Sequence, residues 1–147
     1  MSQDQRGVDL PASVGYRLKE AASALRAAME DVLRPLGMSV THYACLELLA
    51  QRPGLSNSDL ARGTFVTRQT MNVLLQKLEH EGAITRPDAP VTGKVLPVSL
   101  TEQGRAALAE ASVAVRGVEE RMLDGLGAPD RAEALRLLAA MIRSLRG

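Results

Sequence analysis

Residues 67–82, Thr-Arg-Gln-Thr-Met-Asn-Val-Leu-Leu-Gln-Lys-Leu-Glu-His-Glu-Gly, are the stretch of this chain whose side chains are best arranged to do chemistry. At about 100° per residue, Met71, Leu74, Leu75 and Leu78 fall on one side of a helix. Gln69, Asn72, Val73 and Gln76 fall together on the other. That second set matches what the edge of a base pair presents. Gln69 and Asn72 are amides that can read adenine, Arg68 can read guanine or hold a phosphate, and Val73 can pack on a thymine methyl group. Thr67 caps the helix. With Thr70 and the open backbone N–H groups of the first turn, it offers donors to a phosphate. A solvated surface helix has the same pattern, so the neighbouring elements decide between the two readings.

Those neighbours are read from period and punctuation. From Pro11 to Leu36 the apolar residues Val14, Leu18, Ala21, Leu25, Ala28, Val32 and Leu36 recur in threes and fours, which predicts one long helix. Pro35 and Gly37 end it. Thr41 is the expected cap of a second helix running to about Gln51, with Cys45, Leu48 and Leu49 inward. Ser56, with Asp59 three residues on, forms a capping-box pattern that opens a third helix, with Gly63 expected to break it. Ser56 and Asn57 at that start are candidate phosphate anchors. Gly82 closes the fourth helix. The period then shortens: 83–86 and 96–100 read as a hairpin with its tip around Thr92-Gly93-Lys94, and Pro97 on the unpaired side of an edge strand. Lys94 is placed to reach the minor groove or the flanking backbone. Thr101 caps a fifth helix striped by Leu108, Ala111, Val115, Val118 and Met122. A last helix, from about Pro129 to Leu145, presents Leu135, Leu138, Ile142 and Leu145.

Three short helices followed by a hairpin is the order of a winged helix-turn-helix. The motifs sharpen this. Pro53-Gly54-Leu55-Ser56-Asn57-Ser58-Asp59-Leu60-Ala61-Arg62 resembles the "PGLS-x-x-ELAR" third helix of the MarR family. Residues 66–82 resemble its recognition helix, which ends "LE-x-x-G". Leu100-Thr101-Glu102-Gln103-Gly104-Arg105 resembles the "LT-x-x-G-R" that opens its dimerisation helix. The family's wing usually carries Asp-x-Arg; here Thr92 and Lys94 stand at those places. The stretch 92–97 resembles members with a glycine-containing wing. Lysine is a point charge and lacks the planar fork of arginine.

The resemblance implies a mainly α fold with a small β-hairpin wing. Its parts are an N-terminal tail and dimerisation helix over 1–37, a winged helix-turn-helix region over 38–100 and C-terminal dimerisation helices over 101–147. It further implies a homodimer on double-stranded DNA at a pseudo-palindromic operator, acting as a ligand-responsive repressor. A small phenolic or aromatic acid is the implied effector. Tyr16, Arg17, His42 and Tyr43 supply a cation, hydroxyls and flat surface for such an acid.

Composition bounds these expectations. The chain has 147 residues, which suits one domain. Aromatics are only 2%, which argues against a base-stacking platform for single strands. A net charge of +1 is far from that of a protein that coats nucleic acid. Over 56–94 there are five cations (Arg62, Arg68, Lys77, Arg86, Lys94) against four acids (Asp59, Glu79, Glu81, Asp88), so DNA contact must be concentrated on few residues. The single cysteine, Cys45, excludes a disulfide within the chain and fits the cytoplasm. Its inward position favours a buried, inert thiol over an oxidant sensor. His42 and His80 lack metal-ligand spacing, and no nucleophile elbow or phosphate-binding glycine motif is present. No enzyme, cofactor, metal site or membrane span is therefore expected. The competing reading is a winged-helix interaction module that does not read DNA.

Overall fold

Five hydroxyl side chains begin five helices. In each, the oxygen at the N-cap accepts the N–H three residues on: Ser13 from Tyr16, Ser39 from His42, Ser56 from Asp59, Thr67 from Thr70 and Thr101 from Gly104, at 3.0–3.2 Å. Each satisfies one of the backbone donors that a helix start leaves open. The elements, in the computed structural model, which describes residues 7–86 and 97–147, are α1 (Val14–Leu33), α2 (Val40–Gln51), α3 (Asn57–Thr64), α4 (Arg68–His80), β1 (Ile84–Thr85), β2 (Ser99–Leu100), α5 (Glu102–Met122) and α6 (Ala128–Arg146). β1 and β2 pair antiparallel, Ile84 opposite Leu100 and Thr85 opposite Ser99. The mainly α fold with a short hairpin is the one the sequence predicts.

Several boundaries differ from expectation. The first helix is shorter than the span from Pro11 to Leu36. Pro11 lies in a 3-10 turn over Leu10–Ala12, and a second such turn, Arg34–Leu36, follows α1. Ser39, not Thr41, caps α2, so the helix begins at Val40. Gly63 does not break α3. A Cβ there would lie 2.6 Å from Leu48 Cδ1, so the residue is small because α2 packs against it, and the helix runs on to Thr64. Phe65 ends it in the left-handed region, at φ 63°. Pro97 stands two residues before β2, outside the ladder. Thr92, Lys94 and the hairpin tip lie outside the described residues.

The core gathers Leu33 of α1, Cys45 and Leu46 of α2, Leu60 of α3, Met71, Leu75 and Leu78 of α4, Ile84 of β1 and Val98 before β2. None of these is aromatic; aliphatic and sulfur side chains fill the space between packed helices. α5 adds Leu108 and Ala111. α6 adds no buried residue. Its Leu135, Leu138, Ile142 and Leu145 are exposed, as are Val14 and Leu18 at the start of α1 and Met122 at the end of α5.

Candidate nucleic-acid interface

α4 is held from beneath by Met71, Leu75 and Leu78, which are fully buried, and Leu74 is half-buried beside them. The opposite face is open: Arg68, Gln69, Asn72, Val73 and Gln76 are all exposed, Val73 at 62%. The five sequence-predicted readers therefore share one solvent-facing surface. At its N-terminus, Thr67 Oγ1 accepts the Thr70 N–H at 3.1 Å and donates to Thr70 Oγ1 at 3.0 Å. The Thr67 hydroxyl is thus committed to the cap. The Thr70 proton stays available to an anion, with the N–H groups of Arg68 and Gln69.

α3 starts on a complete capping box. Ser56 Oγ accepts the Asp59 N–H, and the Asp59 carboxylate accepts both the N–H and the Oγ–H of Ser56 at 3.1 and 2.9 Å. The Ser56 backbone N–H, then its hydroxyl and the Arg62 guanidinium, hold the Asp59 carboxyl below its ordinary range. Ser56 consequently acts first as a cap. Asn57 is half-buried, and among the described residues its Oδ1 has no hydrogen-bond partner.

Ion pairs narrow the positive surface further. Arg62 sits 2.5 Å from Asp59, Arg86 3.1 Å from Glu79 and Lys77 4.0 Å from Glu81. The Arg86 side chain is only 20% exposed, so it ties the strand to α4 and does not project outward. Of the four described cations over 56–94, Arg68 alone has no acidic partner among the described residues. A count of charges could not reveal this, because Glu79 and Arg86 are seven residues apart and meet only through the fold.

The remaining candidates do not converge within one chain. Tyr16 and Arg17 open α1, whereas His42 and Tyr43 lie in the first turn of α2, which begins just beyond the other end of α1. The sixteen residue steps from Arg17 to Leu33 span about 24 Å of helix. Arg17 is paired with Glu20 at 2.7 Å and reaches the Pro11 carbonyl at 3.4 Å. His42 is buried, and desolvation lowers its pKa. Tyr43 donates its hydroxyl to Glu47 at 2.7 Å; burial, then the Glu47 carboxylate, push its pKa up to about 12. Glu47 also accepts Ser112 Oγ of α5 at 3.1 Å and Gln51 Nε2 at 3.0 Å. Burial favours the protonated Glu47, but these hydrogen bonds and the Arg116 charge outweigh it and hold the carboxyl below its usual range.

Comparison with known proteins places this geometry. The sequence profile of the MarR family matches residues 36–94. The HTH-type transcriptional repressor Rv2887 of Mycobacterium tuberculosis is 42% identical over 127 residues, 86% of this chain and 91% of the relative. The chain belongs to the MarR family. The crystal structure of Rv2887 in complex with DNA covers 88% of this MarR-family chain and 98% of its own, with a TM-score of 0.73 at 39% identity. Rv2887 in complex with salicylic acid gives 0.72 at 41% identity, covering 88% of this chain and 96% of its own. A MarR-family regulator from Silicibacter pomeroyi shares the fold, at a TM-score of 0.83 and 22% identity, over 98% and 96% of the two chains. Among the described residues, no helix is long and apolar enough to cross a membrane.

Proposed function

We propose that this protein is a sequence-specific DNA-binding repressor that works as a homodimer and answers to a small acid. The observation that carries this reading is the open face of α4, with amides, an arginine that has no acidic partner among the described residues, and one valine, on a helix anchored by three fully buried side chains. A helix of this width fits a major groove ~12 Å across. Gln69, Asn72 and Gln76 read base edges, Val73 packs on a thymine methyl group, and Arg68 reads guanine or holds a phosphate. Thr67, Thr70, Ser56 and Asn57 line the phosphates through side chains or helix-start N–H groups, and Lys94 contacts DNA from the wing. The DNA complex of Rv2887 supports the assignment.

The dimer is supported by what α6 leaves uncovered. Leu135 is 72% and Leu145 88% exposed. Burying each such side chain is worth about 1.5–3 kcal/mol, so a second copy placed on α1, α5 and α6 gains substantially. A two-fold dimer sets two α4 helices about one DNA turn, ~34 Å, apart on a pseudo-palindrome. The effector is supported by the salicylic acid complex of Rv2887. Its binding shifts the spacing of the two heads and releases the operator. The protein is not an enzyme in this reading, and it acts in the cytoplasm.

The test is binding of the purified protein to the DNA upstream of its own gene, over a salt series, beside Arg68→Ala. Specific binding that weakens steeply with salt and fails in the variant is expected. Salt-independent binding, or none to this DNA or to a random-sequence pool, sinks the reading in favour of a protein-interaction module.

A further inference from the structure

Among the described residues, hydrogen bonds tie α5 to the rest of the head at two places. The first is its opening turn, where the Thr101 N–H donates to the Ala83 carbonyl and Gln103 Nε2 to the Glu81 carbonyl, each at 3.1 Å. The second is Ser112, whose hydroxyl donates to Glu47 Oε2 of α2 at 3.1 Å. Nine residue steps, about 14 Å of helix, separate Gln103 from Ser112. One point of attachment lets a rod swing, and two fix its direction. Leu108 and Ala111 also hold α5 against the core. Apolar packing is non-directional, however, and yields to a small tilt more readily than a hydrogen bond does.

Glu47 is well supported for the second attachment. Tyr43 and Gln51 stand one turn before it and one turn after it on α2. The Tyr43 hydroxyl donates to the same Oε2 at 2.7 Å, and Gln51 Nε2 donates to Oε1 at 3.0 Å. These neighbours hold the carboxylate in one orientation, and Ser112 is its donor from another element. Arg116, one turn beyond Ser112 on α5, adds a favourable charge. Tyr43, Glu47 and Ser112 are all half-buried, where hydrogen bonds are stronger than in open water.

We propose that Glu47 is a positioning residue: through Ser112 it sets the angle at which α5 leaves the head, and with it the spacing of the two α4 helices on DNA. The consequence for DNA rests on the dimeric regulator reading; the angle does not. α5 runs from the head to the exposed apolar surface of Met122 and α6, so a tilt at Ser112 moves each head relative to its partner. A pseudo-palindrome whose half-sites depart from the fixed spacing is then accepted only if the heads can swing. Glu47 touches no base in this role and contributes to operator choice by geometry.

The experiment is a pulsed electron–electron distance measurement on the full chain without DNA. Nitroxides are attached through His80→Cys at the end of α4 and Glu120→Cys near the end of α5, both exposed positions, with the buried Cys45 left in place. Dilution with unlabelled chain confines the reading to distances within one protomer. The expected result is one narrow distance in the parent chain, shifted or broadened by several ångströms in Ser112→Ala and Glu47→Leu. It should be retained in Glu47→Gln, whose amide oxygen still accepts the Ser112 hydroxyl. A lowered melting temperature with parent distances in Ser112→Ala and Glu47→Leu makes the network merely structural and overturns the proposal. On duplexes selected from a random-sequence pool, an offset of two base pairs between half-sites should weaken binding about tenfold in the wild type and no more than about threefold in Ser112→Ala. Equal penalties in the two proteins overturn the spacing role. A chain that selects no DNA fails the regulator reading and loses the spacing role with it, while the distances still decide the angle.

Discussion

Gly104 lies so close under the Ala83 carbonyl that a Cβ atom at residue 104 would stand 2.1 Å from the Ala83 oxygen. Around this contact the first turn of α5 is bolted to the end of α4. Thr101 Oγ1 donates to the Gly82 carbonyl at 2.6 Å, and the Thr101 N–H donates to Ala83 O at 3.1 Å. Gly82 makes the turn at φ 84°, which a side chain would resist. The Leu100–Arg105 motif is thus a joint between the recognition helix and the helix that leads away from the head.

Gly104→Ala is therefore expected to be the most damaging of the glycine-to-alanine changes among the described residues. The obstacle is backbone, which cannot rotate aside, so a loss of about 2–3 kcal/mol follows. The melting temperature should drop by roughly 4–12 °C, read by circular dichroism. Thr101→Val removes the cap and the bond to Gly82, and should cost about 1–2 kcal/mol.

On α4, two substitutions should separate two kinds of contact. Arg68→Ala, if Arg68 holds a phosphate, weakens binding to all sequences alike and lowers the salt slope by about 1. Asn72→Ala, if Asn72 reads a base, costs about 1–3 kcal/mol on the operator while leaving random DNA nearly unaffected. Fluorescence anisotropy on both DNAs distinguishes the outcomes, and equal losses on both DNAs for Asn72→Ala would remove it from the reading set.

Stability should fall on mild acidification through His42. Burial depresses its folded-state pKa below the ordinary value of 6.5. Between those two values the unfolded chain takes up a proton that the folded chain refuses, so stability is lost as pH falls below about 6.5. Melting temperatures from pH 7.5 to 5.5 should decline in the wild type and stay flatter in His42→Gln. Glu47 and Asp59, whose carboxyls are held low, add their losses only at more acid pH, below the ordinary carboxylate range.

Leu135→Glu and Ile142→Glu should abolish the dimer without unfolding the head, because neither side chain is buried within the protomer. Sedimentation should then report a monomer of 15.7 kDa. A dimer that persists in both variants would move the interface away from α6.

What the sequence made legible was local. Ser56, Thr67 and Thr101 announce helices because a hydroxyl three residues before a free N–H acts within one turn, and the stripe of Met71, Leu75 and Leu78 needs only the helical period. Ser39 was less readable because Thr41, two residues on, offers the same chemistry. The reason for Gly63 is Leu48 of another helix, and a breaker residue looks the same whether it breaks or makes room. Likewise the pairing of Arg86 with Glu79 and the distance between Tyr16 and His42 depend on how helices are placed, which no spacing rule encodes. The face of α4 was legible; which of its neighbouring charges remain free was not.

Cys45 has no exposed surface, and burial pushes its thiol up to about 12. It belongs to the same core as Leu46, Met71 and Leu75, so a disulfide reagent can reach it only when that core parts. The chain thus carries its own clock: the rate at which its one thiol is labelled under native conditions times the opening of the head. Addition of operator DNA or of a bound acid should slow that clock in proportion to how tightly each holds the head closed.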